Sequence, residues 1–335
     1  MKHHFGDFLD RAGDYWKMTP NKDRYQLMLD NFPVLDSSIE SITISKKHTN
    51  WREILGLKNL EELTIHEGTK EQFEAIKELK HLKRLRITHL RPKEITPISE
   101  LVNLEELVLE YVSGFSDLLP LSKLENLHSL HLENLRSVRD FSPLTKISNL
   151  KYLYIDGTID WKQPVDNFTF LNEMQKLEVF SLGQVMCKAD YPIFLGLIKL
   201  NNLKKVKIFN YMFPTEEYAF LQEAIPSIEG TQWEPISIFP NRYKSIEKDD
   251  QKMKLSKEDF ITRYPNSRVY PDGRREISDP NYEEFSFLGK KAGSIKCNSK
   301  NAEKKCEEFT MKYEAMKVKA RNFLTKENEP LNNQN

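Results

Sequence analysis

One apolar phrase recurs along this chain at near-constant spacing, and it restricts the fold more than any other feature. The phrase is an apolar residue, two polar ones, an apolar one, two more, an apolar one, any residue, and an apolar one. Its clearest copies are Leu57-Leu60-Leu63-Ile65, Leu79-Leu82-Leu85-Ile87, Leu101-Leu104-Leu107-Leu109, Leu124-Leu127-Leu130-Leu132 and Ile147-Leu150-Leu153-Ile155. Weaker copies follow at Met174-Leu177-Phe180-Leu182, Leu200-Leu203-Val206-Ile208 and Ile225-Ile228-Thr231-Trp233, and a truncated one, Ile39-Ile42-Ile44, precedes them. The first positions lie 22, 22, 23, 23, 27, 26 and 25 residues apart. A period in this range means stacked units, each too small to bury its own apolar face.

The pattern resembles the leucine-rich repeat family over residues 37–236, and the short period is similar to the 22-residue class of bacterial internalins and some protein-phosphatase regulators. Ile98-Ser99-Glu100-Leu101 after Pro97, and Phe141-Ser142-Pro143-Leu144, fit that class's return turn. The resemblance implies an α/β solenoid, curved, with parallel strands on its concave face, closed by an N-terminal cap and a small α+β C-terminal region. It also implies binding rather than chemistry. One departure stands out. The family often places Asn three residues after the last apolar position, and here those places hold Gly68, Leu90, Val112, Leu135, Thr158, Val185 and Tyr211. The reading is therefore that the Asn ladder is absent and that the turn satisfies its backbone by other means.

The repeats divide the chain into a cap at 1–36, a solenoid at 37–236, a C-terminal cap region at 237–325 and a disordered tail at 326–335. The first segment holds Phe8, Leu9, Tyr15, Trp16, Tyr25 and Leu29, too apolar for a free tail, and should cover the first coil, with Trp16 and Tyr25 in the core. Within each repeat, alternation such as Leu63-x-Ile65 marks a short strand with one buried face. A helix should begin at Thr69, whereas returns carrying Pro97, Pro120 or Pro143 are too short for much helix. The longer repeats near Trp161 and Tyr191 carry insertions. Pro271-Asp272-Gly273 marks a hairpin, and after Ser299 an apolar stripe (Ala302, Cys306, Phe309, Tyr313, Met316, Ala320, Phe323) spells one long helix.

Composition narrows function by exclusion. Formal net charge is zero, with 21 basic against 16 acidic residues from 241 onward and 29 against 34 before. The three cysteines, Cys187, Cys297 and Cys306, make no disulfide framework. There is no signal-peptide pattern and no spanning run, so a cytoplasmic protein without membrane attachment is expected, with signal-independent secretion as the alternative, and the short, cap-poor repeats point to a bacterial source. The eight histidines show no metal spacing; His66 and His89 make only a pair across neighbouring strands. The lysines from Lys290 to Lys305 interleave with acids and match no nucleic-acid motif, and no catalytic, cofactor or metal residues are assigned.

The outward strand positions give the concave face in three columns. The first is Ser41, Glu62, Arg84, Glu106, Ser129, Tyr152, Val179, Lys205; the central one is Thr43, Thr64, Arg86, Val108, His131, Tyr154, Ser181, Lys207; the third is Ser45, His66, Thr88, Glu110, Glu133, Asp156, Gly183, Phe209. Glu110, Glu133 and Asp156 form an acidic row beside Tyr152 and Tyr154, with Tyr111 at the loop edge and His131 in the centre. Like charges across neighbouring strands are unfavourable unless something offsets them, and a partner presenting Lys or Arg would do so. The expected function is non-catalytic recognition of a protein partner through Glu110, Tyr111, His131, Glu133, Tyr152, Tyr154 and Asp156. One alternative is an immunity protein that inhibits a basic toxin. Another is an enzyme using Cys297, whose lysine neighbours would lower its pKa.

Overall fold

A computed structural model describes residues 16–239, 243–278 and 283–328. The apolar positions Phe8, Leu9 and Tyr15 and most of the expected tail lie outside them. Each of the first seven repeats and the truncated copy before them builds one strand. In chain order these are β1 (Ser41–Ser45), β2 (Glu62–His66), β3 (Arg84–Thr88), β4 (Glu106–Glu110), β5 (Ser129–Glu133), β6 (Tyr152–Asp156), β8 (Val179–Leu182) and β10 (Lys205–Ile208), with β7 (Gln163–Val165) and β9 (Val185–Cys187) between the last three. The eight form one parallel sheet in sequence order. Leu63, Leu85, Leu107, Leu130 and Leu153 stand opposite one another in register, and so do the residues of each outward column from β1 to β6. Each such leucine is buried, which contributes about 1.5–3 kcal/mol apiece before entropy is subtracted. The eighth copy makes no strand and contributes only an isolated bridge, Glu229 to Lys205.

The returns follow the proline and capping signals. Helix α1 (Lys70–Ala75) starts at Thr69, whose side chain accepts from the Gln72 N–H while the Gln72 side chain accepts from the Thr69 N–H. The returns at Thr96–Glu100, Leu119–Lys123 and Ser142–Lys146 are five-residue 3₁₀ turns with proline in the first turn. The two insertions pair with each other, β7 and β9 forming a small parallel sheet of their own.

No asparagine stands at the family's position after the strand, and a separate row of asparagines bonds neighbouring coils. It occupies the Leu-x-Asn-Leu position ahead of the strand. Asn59, Asn103, Asn126, Asn149 and Asn202 each donate through Nδ2 to a carbonyl of the preceding coil, at 2.6–3.0 Å. His81 contacts the Leu57 carbonyl at 3.0 Å from the same position. On the other side of the strands, the turn is satisfied by backbone bonds. Glu67, His89, Tyr111 and Asn134 all take positive φ, 50° to 56°, and each donates its N–H to the last carbonyl of the next strand, at 2.9–3.0 Å. Holding four non-glycine residues there costs about 1 kcal/mol each, which the ladder offsets. Gln72 and Gln163 supply further bonds, the first to the Ser45 carbonyl and the second to Leu135 and Val138.

The chain forms two compact units. The solenoid unit runs to Met212 and regains Ala224–Gln232; the second unit holds Phe213–Glu223 and the chain from Trp233 onward. The second unit contains most of α2 (Thr215–Ala224), then β11 (Ile236–Phe239), β12 (Tyr243–Ser245), α3 (Lys257–Arg263), β13 (Ser267–Val269), β14 (Arg275–Ser278), β15 (Glu284–Phe287), β16 (Ser294–Lys296) and α4 (Ala302–Asn328). The expected hairpin is β13–β14, turning at Gly273, and the expected long helix is α4, which continues past Lys326. Its stripe packs on α2 and β15: Tyr313 Oη donates to Gln222 at 2.6 Å, Arg321 pairs with Glu223 at 2.9 Å, and Phe309 stacks on Phe287. No described helix is long and apolar enough to cross a membrane.

Candidate functional site

The concave face is not an open sheet. Residues 16–29 run across it, so the N-terminal segment lies along the strands and not simply over the first coil. Its grip is largely backbone. The N–H of Lys17 donates to both carboxylate oxygens of Glu106, at 3.0 and 3.1 Å, and the N–H of Met18 to one of them at 3.3 Å. The N–H of Thr19 donates to Glu62 at 2.9 and 3.2 Å, and Asn21 Nδ2 to Glu110 at 3.3 Å. Met28 bridges Thr43 on β1. Trp16 and Met18 pack on Val108, and Trp16 stands edge-on to His131 with ring centres 6.2 Å apart. Trp16 is thus core, as expected, whereas Tyr25 is 40% exposed. Arg84 completes the arrangement, its Nε donating to Glu62 at 3.1 Å. Burial raises the Glu106 pKa, against the backbone N–H groups and Arg84 that lower it.

Part of the expected binding row is buried in this arrangement. Glu110, Glu133 and Asp156 do stand opposite one another, but Glu110, His131 and Glu133 are fully buried. Each has contacts within the chain. Glu110 accepts from Asn21, and His131 Nε2 lies 3.5 Å from Glu133. Asp156 accepts from the Tyr154 hydroxyl, from the Gly157 N–H at 2.7 Å and from the Gln184 N–H. Gly183 leaves the room for this: a Cβ there would lie 2.0 Å from Asp156 Oδ1. Tyr154 faces outward as expected but is nearly buried, its ring 4.6 Å from His131. Tyr152 is half-buried beside His128. Tyr111 stacks on His89 at 4.7 Å, and burial with the nearby Glu133 pushes its hydroxyl up to about 12. The row continues through His66, whose pKa burial and then Arg24 lower to about 4.

The face opens at its far end. A cavity of about 320 Å³ lies over β6, β8 and β10, lined by Tyr154, Asp156, Ile159, Ser181, Leu182, Gln184, Lys207, Phe209 and Tyr211. Phe209 and Tyr211 are 40% and 48% exposed and stack 5.6 Å apart, nearly parallel. Gln184 Nε2 donates to the Tyr211 hydroxyl at 2.7 Å, fixing the second ring. Of the expected site residues, only Tyr154 and Asp156 line this cavity. Sequence reading placed Ser181, Lys207 and Phe209 on the face without assigning them a role. Gln184 and Ile159 come from the inserted loops, where no column predicts them; the alternating Phe209-x-Tyr211 pair was the available signal.

Elsewhere the chemistry is quiet. Burial and then Glu283 push the Cys297 thiol up, the reverse of the lowering its lysine neighbours would cause. His66 and His89 sit edge to face, 6.1 Å apart, and no group of three or more His, Cys, Asp or Glu among the described residues is placed to hold a metal ion.

No protein-family model matches the chain, and no curated protein does. Among solved structures, it is similar to an internalin (inlF) from Listeria monocytogenes, with 20% identity over 49% of this chain and 46% of that one and a TM-score of 0.38. Internalin C2 of the same organism gives 22% identity, 52% and 72% coverage and a TM-score of 0.39. A leucine-rich repeat protein of Leptospira interrogans gives 16%, 55% and 64%, and 0.30. The chain thus spans less than half of the first of these. The phrase in the sequence and the coil in the structure are one unit, stacked eight strands deep on columns of buried leucine, and the chain has the fold of a leucine-rich repeat solenoid.

Proposed function

We propose that this protein is a non-catalytic recognition module that binds another protein at the open end of its concave face. The observation that carries this reading is the contrast along one sheet. From Thr43 to His131 the central column is buried, under a segment of the same chain where Trp16 and Met18 lie on it, whereas from Ser181 to Tyr211 the face holds a cavity with exposed aromatic rings. Exposed, rigid aromatic side chains around a concavity are the usual composition of an interface anchor. A cross-linking residue tests this. p-Benzoylphenylalanine in place of Tyr211 should capture a discrete protein from native lysate, and the same residue in place of the exposed Lys146 should not. Equal capture at both positions, or none at 211, would count against it.

An inhibitor of a basic toxin would have to use acids other than Glu110 and Glu133, which are fully buried.

A further inference from the structure

We propose that the window over β6, β8 and β10 takes a partner segment presenting a carboxylate next to an aromatic or branched aliphatic side chain. This rests on the reading of the window as the recognition surface, and it reverses the charge expected of the partner.

Lys207 is the one cation lining the cavity, and it has no ion-pair partner among the described residues. Its neighbour two residues earlier, Lys205, is engaged by Glu229 at 3.0 Å. The one acid in the cavity, Asp156, is held by Tyr154 and two backbone N–H groups, so it does not neutralise Lys207. Ser181 supplies a second, independent sign. Its hydroxyl is buried, lines the same cavity and has no hydrogen-bond partner among the described residues. A buried hydroxyl left unmade is unfavourable, and a ligand oxygen would satisfy it. An ammonium and a hydroxyl side by side on neighbouring strands, Ser181 opposite Lys207, present donors to one oxyanion. Beside these stand Leu182, the exposed Ile159 and the Phe209–Tyr211 stack, with the one further polar side chain, Gln184, donating its amide to the Tyr211 hydroxyl. About 320 Å³ accommodates a pair of adjacent side chains. A single lysine balances one carboxylate, whereas a phosphate dianion would bring a second negative charge beside Asp156. A basic segment would meet Lys207 with like charge.

Selection of a random displayed peptide library on the full chain tests this. Enriched sequences should place Asp or Glu beside Phe, Tyr, Leu or Ile. A synthetic consensus peptide should bind at least tenfold more weakly to Lys207→Met, a change on the solvent side of the sheet that leaves the melting curve in place. Replacing the peptide's acid by its amide should cost a similar factor on wild type and little on Lys207→Met. A neutral or basic consensus, indifferent to Lys207 yet lost in Phe209→Ala, would overturn the charge assignment while leaving the window as the binding surface. Enrichment of no Phe209-dependent sequence would overturn both.

Discussion

The backbone N–H of Thr19 lies 2.9 Å from one carboxylate oxygen of Glu62 and 3.2 Å from the other, so a strand on the concave face holds a segment 43 positions earlier through the main chain. Lys17 and Met18 repeat the device on Glu106. Charge-assisted bonds of this kind contribute roughly 1.5–3 kcal/mol each. Glu106→Ala should therefore release the segment locally, with amide exchange at Lys17 and Met18 rising at least tenfold while the leucine core stays protected. Unchanged exchange at these amides would show that Glu106 does not hold the segment.

His66 gives the concave face a pH signature. Burial and Arg24 favour its neutral form, so its folded pKa of about 4 lies below the ordinary 6.5. The unfolded chain then takes up this proton first as pH falls. The contribution is complete above pH 6.5 and is lost as pH falls toward about 4. An imidazole titration by NMR should place the His66 midpoint near 4, and His66→Gln should flatten part of the stability loss over that interval. A midpoint near 6.5 would contradict the buried setting.

The asparagine row is a stability feature with a defined size. Asn103 and Asn126 each donate one bond to the preceding coil, and each alanine substitution should cost about 1 kcal/mol. Thermal melts of the single and double variants would show it; a melting temperature unmoved in the double variant would mean that solvent replaces these bonds without loss.

Leu130 sits at the middle of the stack with no exposure. A carboxylate there has no partner and no water. Leu130→Asp should unfold the solenoid or lower its denaturant midpoint severely, because each coil depends on its neighbours for burial. An unaltered melt followed by circular dichroism would refute the stacked-coil account.

Strand register, the α1 capping box and the α4 stripe are legible because side-chain periodicity encodes them directly. The columns show which way Glu110, His131 and Glu133 point, but not what lies against them. The covering segment is not legible for a physical reason: it docks mainly through the N–H groups of Lys17, Met18 and Thr19, which every residue but proline carries. The cavity is not legible for a related reason, since Gln184 and Ile159 reach it from inserted loops outside the repeat. The asparagine row is written as Leu-x-Asn-Leu ahead of the strand, a different position from the one the family uses.

Hydroxyl-radical footprinting of the intact protein, read by mass spectrometry, measures the central contrast directly. A face closed by its own N-terminal segment and open beyond β6 predicts rapid oxidation at Phe209 and Tyr211, which are 40% and 48% exposed, and protection at Trp16, which is 7% exposed. Trp16 oxidised as fast as Tyr211 would show that the segment does not cover the sheet, and the proposed location of the binding window would fall with it.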